Sequence, residues 1–163
     1  MIRDVKLTDA EAICEIYNPY VLNTDITFEE VPVTPDQIRQ RITTVTASYP
    51  WLVITEDDKV QGYAYICRWR ERAAYRHSSE CAIYLRNDTI GKGLGKTLFA
   101  ALLGRIRQTT AIHAVIAAIA LPNAPSIRLH EKLGFEQIGH FKQTGYKFNR
   151  WIDVGYWQLL IPR

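Results

Sequence analysis

Apolar residues recur at helical spacing near the start of the chain and at strand spacing further on. Ile13, Ile16, Tyr17 and Tyr20 lie three or four apart in TDAEAICEIYNPYV, after a short strand-like IRDVKL. Thr8 and Glu11 have the form of a capping box at the head of this helix. A second helix is expected over TPDQIRQRITTV, with Thr34 as N-cap, Pro35 in the first helical position and Gln37 closing the box. WLVITEDDKVQGYAYICRWR then reads as a hairpin that turns at Glu56-Asp57-Asp58-Lys59. HSSECAIYLRN is a further strand, and a glycine-rich loop leads from it into a helix from about Gly93 to Gln108. AVIAAIAL has the continuous apolar character of a strand buried on both faces. NAPSIRLHEKLGF is a helix stopped by Gly134, and EQIGHFKQTGYKF and IDVGYWQLLI are two closing strands. The order βααβββαβαββ predicts an α/β fold, with one mixed central sheet and helices on both faces. No repeat, low-complexity segment or linker interrupts it, so residues 1–163 are read as a single domain.

Composition narrows the function classes. Hydrophobic residues make up 47% of the 163 and charged residues 23%, as in an ordinary soluble domain. A net charge of +3 suits small anionic ligands, and the absence of a long basic run argues against nucleic acid as partner. Cys14, Cys67 and Cys81 are widely spaced with no CxxC pair, so neither a disulfide framework nor a metal site is expected. No apolar run has the length of a signal peptide or a membrane span, which gives a cytoplasmic, reduced protein as the expectation.

The loop in DTIGKGLGKTLFAALL is the clearest chemical signal. Its Gly95-Lys96-Thr97 ending imitates a P-loop, but the spacing requires glycine where the chain has Ile90. Gly91, Gly93 and Gly95 read GxGxG, which also fails the dinucleotide fingerprint GxGxxG. What remains is a set of glycines that let backbone N–H groups approach an anion at a helix N-terminus. A phosphate-bearing ligand is expected, and a bulky residue at Gly93 or Gly95 should block its approach.

Alternation in SSECAIYL puts Glu80, Ala82 and Tyr84 on one face and Cys81, Ile83 and Leu85 on the other. A carboxylate within so apolar a strand is costly unless paired or hydrated. Glu80 therefore reads either as the partner of a cation such as Arg76 or as a base whose pKa burial raises. Cys81 offers an acyl-cysteine route, but it points away from Glu80 and has the character of a small core residue. RWRERAAYRH interleaves Arg68, Arg70, Arg72 and Arg76 with aromatics; one cluster is thin support for single-stranded nucleic acid, and two guanidiniums suit a small dianion.

The run of strand, glycine loop, helix, apolar strand and LPNAPSIRLHEKLGF resembles the acyl-CoA core of the GNAT N-acetyltransferase superfamily. That family's [Q/R]-x-x-G-x-[G/A] loop falls on Ile90-Gly91-Lys92-Gly93-Leu94-Gly95, with Ile90 where a polar residue is usual. YPWLV, RERAAYRHSSECAIYL, ALPNAPSIRLHEKLGF and GYKFNRWIDVGYWQL are similar to the phosphinothricin and methionine-sulfoximine N-acetyltransferases over essentially the whole chain.

The resemblance implies acetyl-CoA as donor cosubstrate and no metal. Ile83, Tyr84 and Leu85 of the strand, the loop from Gly91 through Lys92, Gly93, Leu94, Gly95 to Lys96, and Asn123 and Ser126 would contact it. Glu80 is implied as general base, Ile83 as the backbone oxyanion donor, and His130, where the wider superfamily often has tyrosine, as a group that assists thiolate departure or accepts the amine's proton. Phe28, Arg70, Arg72, Tyr75 and Trp151 match substrate-contacting positions. The implied reaction is direct acetylation of the α-amine of a small anionic amino-acid analogue, a detoxifying activity, by a homodimer. A P-loop-like or acyl-CoA-binding module without turnover is the alternative; AVIAAIALPN ends without an aspartate for magnesium, and a mere sensor needs neither Glu80 nor His130.

Overall fold

The computed structural model describes residues 1–162. Its strands are β1 (Ile2–Asp4), β2 (Trp51–Glu56), β3 (Lys59–Arg68), β4 (Ser78–Leu85), β5 (Ala114–Ala120), β6 (Glu136–Lys147) and β7 (Arg150–Leu160). Its helices are α1 (Ala10–Asn23), α2 (Pro35–Thr46), α3 (Leu94–Thr109) and α4 (Ala124–Lys132). The chain order is therefore the βααβββαβαββ expected from periodicity. The strands lie side by side as β1-β2-β3-β4-β5-β7-β6, antiparallel except for the β4–β5 pair. No helix among the described residues is long and apolar enough to cross a membrane.

Alternation along β2 divides the core. Leu52 and Ile54 face Leu98, Phe99, Leu102 and Ile106 of α3, whereas Trp51 and Val53 face Ile13, Ile16 and Tyr17 of α1 and Ile38 and Ile42 of α2. Helices thus cover both faces of the sheet. Apolar burial holds each layer, and both layers meet at β2 and β3.

Local chemistry explains most element ends. The Thr34 hydroxyl accepts from Gln37 N at 3.2 Å while Gln37 Oε1 accepts from Thr34 N at 2.9 Å, completing the expected box. Asp57 and Asp58 both adopt positive φ, at 47° and 60°, and so make the tight turn of the β2–β3 hairpin. Gly134, at φ 92°, ends α4 as a left-handed C′ residue.

The start of α1 departs from expectation. Thr8 and Glu11 do not cap it; a 3-10 turn over Leu7–Asp9 precedes the helix, which begins at Ala10. Asp9 instead accepts from Lys6 N at 2.8 Å and binds Arg3 through both carboxylate oxygens at 2.8 Å. A bidentate charged pair outcompetes a hydroxyl cap. β5 also differs in detail, since Ala118 is exposed while its neighbours are buried. The α1–α2 layer does not extend over that part of the sheet.

Candidate active site

β4 and β5 run together only briefly. Ser78, Ser79 and Glu80 pair in parallel with Ala114, Val115 and Ile116, and beyond that point the strands part. Glu80 is the last residue of β4 paired with β5, at the fork. A cleft of ≈ 180 Å³ opens there, lined by Ile26, Tyr65, Glu80, Cys81, Ala82, Ile83, Tyr84, residues 117–120, Asn123, Ser126 and His130. Alanines at 82, 117, 118 and 120 keep it open, because larger side chains would fill the gap.

The separated edge of β4 carries free backbone groups. Arg86 N donates to Gln61 O of the neighbouring β3 at 2.8 Å, and the β3–β4 register runs without irregularity. Antiparallel alternation then commits the backbone of Tyr84 and Ala82 to β3 and turns that of Ile83 and Leu85 towards the gap. Consistent with this, the Leu85 carbonyl accepts from the Tyr20 hydroxyl of α1 at 2.7 Å. Tyr84 contributes its ring to the cleft wall, edge-on to Tyr17 and Tyr20.

Glu80 lies on the same sheet face as Tyr65 and Cys67, directly opposite Cys67 of β3. Burial raises its pKa, and the positive charge of Arg70 partly opposes that rise. No cation holds it: Arg76 donates to Ala73 O, and none of the ion pairs formed among the described residues involves Glu80. The alternative of a structural pair with Arg76 is therefore not what the fold builds. Cys81 points to the opposite face, among the residues packed on α3, with its thiol donating to Ile116 O at 3.4 Å. Burial pushes that thiol far up, away from nucleophilic thiolate.

His130 projects from α4 and is buried, between the edges of Phe99 and Phe135. Its Nδ1 lies 2.8 Å from the Ser126 carbonyl. A carbonyl oxygen only accepts, so Nδ1 carries the proton and Nε2 of the neutral ring is an acceptor. Burial lowers the imidazole pKa and favours that neutral form. Asn123 caps α4, accepting from Ser126 N at 3.2 Å.

At the far end of β4 the glycine loop turns into α3. Gly91 and Gly93 have φ of 89° and 83°, and a Cβ on either would meet nothing within 4 Å. Their role is conformational: only glycine adopts these angles cheaply. The first intrahelical bond of α3 joins Thr97 N to Gly93 O, which leaves the amides of Leu94, Gly95 and Lys96 as free first-turn donors. Gly95 differs from the expectation that it spares room for a phosphate. Its missing side chain would point at Leu85 Cδ1, 3.2 Å away, so glycine here lets α3 approach β4. Lys92, Lys96 and Ile90 are exposed around the turn.

The chain's matches to other proteins agree with this geometry. The model of the acetyltransferase (GNAT) domain matches residues 2–155. The chain belongs to the GNAT acetyltransferase family. It is 37% identical to a phosphinothricin N-acetyltransferase of Streptomyces viridochromogenes over 96% of this chain and 85% of that one. It is 40% identical to an L-methionine sulfoximine/L-methionine sulfone acetyltransferase of Pseudomonas aeruginosa, over 97% and 92%. A phosphinothricin acetyltransferase structure from Sinorhizobium meliloti, a complex with acetyl-CoA, superposes with a TM-score of 0.94 at 39% identity, covering 99% of this chain and 88% of that one.

Within this GNAT domain the sequence-predicted residues separate into three groups, one of them Leu85 and the loop from Gly91 to Lys96 at the far end of β4. Glu80, Ile83, Tyr84, Asn123, Ser126 and His130 converge on the cleft. Arg70, Arg72, Tyr75, Phe28 and Trp151 do not line it; all five are exposed. Arg70 lies over the Trp69 ring, with its guanidinium carbon 5.0 Å from the ring centre. Tyr65, Ile26 and the alanines of β5 are cleft residues that sequence reasoning missed. The alanines left a signal: AVIAAIA is a buried strand with small residues where valine or isoleucine is usual. No group of three His, Cys, Asp or Glu side chains among the described residues could hold a metal ion.

Proposed function

We propose that this acetyltransferase moves the acetyl group of acetyl-CoA to the α-amine of a small anionic amino-acid analogue, of the phosphinothricin, methionine sulfoximine or methionine sulfone type. The observation that carries the reading is Glu80: a half-buried carboxylate in no ion pair, at the fork where β4 and β5 part. The pantetheine arm lies in the gap beside the free backbone edge of Ile83 and Leu85, near Asn123 and Ser126. The pyrophosphate sits on the first-turn amides of α3, where the Gly91 and Gly93 turns expose them.

Glu80, directly or through a water, removes a proton from the substrate ammonium, and the free amine attacks the thioester carbon. The Ile83 amide donates to the oxyanion of the tetrahedral intermediate. The C–S bond then breaks and coenzyme A leaves as thiolate. Two protons leave the nitrogen in all; one ends on the coenzyme thiol and one goes to solvent. The tautomer of His130 orders its part: Nε2 of the neutral ring is an acceptor, so His130 takes a proton from the attacking amine before it can give one to the thiolate. Arg70 and Arg72 stand outside the cleft with their guanidiniums available to a carboxylate and a phosphinate or sulfone oxygen.

The test is a screen of amines at fixed acetyl-CoA together with thermal denaturation. Coenzyme A should stabilise the protein where ATP–magnesium does not, and anionic amino-acid analogues should be acetylated far faster than simple uncharged amines. Stabilisation by ATP–magnesium alone would favour the nucleotide-binding alternative, and equal rates for uncharged amines would remove the two arginines from recognition.

The protein works, in this reading, as a homodimer. Support comes from the β6–β7 end, where Ile138, Phe141, Tyr146, Phe148 and Trp151 are all more than half exposed. Such a run of apolar side chains is typical of surface covered by a partner. Light scattering at micromolar concentration should give twice the 18.8 kDa chain mass, and a monomer would overturn this.

A further inference from the structure

Lys147 is the most completely buried charged residue among those described, with 2% of its surface exposed. No carboxylate among the described residues forms an ion pair with it, although the charges of Glu30, Asp25 and Glu29 offset part of the effect of burial, which lowers its pKa. Its Nζ donates to three backbone carbonyls: Val21 at the end of α1 at 2.7 Å, and Thr27 and Glu29 of the α1–α2 connection, each at 2.8 Å. An ammonium has three donors, so all are satisfied, but burying the charge is still costly. Three carbonyls from two stretches of chain on one ammonium fix where those stretches sit relative to β6.

What it fixes is the segment 25–29. In an extended chain the carbonyls of residues 27 and 29 point the same way, and Lys147 grips both. On the other side Tyr17 bonds the Thr27 hydroxyl at 2.7 Å and the Glu29 carboxylate, which also pairs with Arg41 of α2. Phe28, between them, lies flat on Gly145, two residues before Lys147 on β6. A Cβ at Gly145 would stand 2.3 Å from Phe28 Cζ and 2.4 Å from Cε2. Gly145 has no unusual φ, so its glycine serves this close approach alone. Arg150 of β7 completes the grip through Asp25.

The clamped segment borders the acetyl-transfer cleft. Ile26 lines it together with Glu80 and His130, and also lines the adjoining hollow beside Asn123, Pro125 and Phe148. We propose that Lys147 and Gly145 are positioning residues for the amine acceptor: they hold segment 25–29 as one wall of its pocket and so set which acceptors fit. The proposal rests on the acetyltransferase reading above. It assigns a task to GYKFNR beyond strand formation, and it predicts that acceptor and donor binding respond differently when the clamp is loosened.

The experiment compares full-length Lys147→Met and Gly145→Ala with wild type for amine KM, kcat and acetyl-CoA affinity. Amine KM should rise at least about tenfold in both, with acetyl-CoA affinity within about twofold. A lysine acting only in stability would instead lower the melting temperature and leave this split unmoved. Phe28 is partly exposed, so in Gly145→Ala its ring can swing outward, and this variant carries the test should Lys147→Met fail to fold. On a Phe28→Ala background, Gly145→Ala should add little, because the two act through one contact. Unchanged amine KM in folded Gly145→Ala, or equal loss for both substrates, overturns the proposal while leaving the acetyltransferase reading intact. A wild type that acetylates no amine overturns both.

Discussion

Glu80→Gln should lower kcat at neutral pH by at least about a hundredfold, or about 2.7 kcal/mol of transition-state stabilisation, with acetyl-CoA affinity little changed. Glutamine keeps the size of the side chain and cannot take the proton. The pH dependence gives the sign. Glu80 must be ionised to act, so wild-type activity should fall as pH drops through its pKa, which burial has raised above the ordinary carboxylate value. Arg70 opposes that rise, so Arg70→Ala should move the acid limb of the kcat profile further towards alkaline pH. The deficit of Glu80→Gln should shrink as pH approaches the amine's own pKa, where free amine forms unaided. Near-normal kcat in Glu80→Gln at neutral pH would remove it as base and leave His130, whose Nε2 is already an acceptor, as the candidate.

Gly93→Ala should raise the acetyl-CoA KM at least about tenfold, about 1.4 kcal/mol, with the circular dichroism spectrum unchanged. The cause is conformational. At φ 83° an alanine costs roughly 1–2 kcal/mol, and with nothing within 4 Å of the new methyl the loop relieves that strain by moving. It would then carry the first-turn amides of α3 away from the phosphates. Gly95→Ala makes the contrast, because its methyl meets Leu85 and should lower thermal stability more than cofactor affinity. Unchanged acetyl-CoA binding in Gly93→Ala would take the loop out of the cofactor site.

Much of the architecture was legible because hydrophobic period is a local signal. The 3.6-residue pattern around Ile13 and Ile16, the Thr34–Gln37 box and the Gly134 stop are each encoded within a few residues, and each formed as expected. Thr8 misled because the neighbouring Asp9 had stronger partners: its carboxylate is held by Arg3 of β1 as well as by Lys6, side-chain contacts that periodicity does not register. Gly95 was legible only in part, because one residue type answers two needs. GxGxG does not distinguish a glycine that supplies positive φ from one that lets a helix close on a strand.

The sequence by itself determined the element order, the faces of β4 that set Glu80 apart from Cys81, and the glycine turn before α3, since all of these follow from spacing along the chain. Tertiary structure alone decided that β4 and β5 separate just past Glu80, leaving its carboxylate unpaired and the Ile83 edge open. It also decided that His130 is buried against Phe99 of α3, and that Lys147 reaches back more than a hundred residues to grip Thr27 and Glu29. These depend on which atoms meet across distant segments, and pairwise geometry of that kind leaves no period in a sequence.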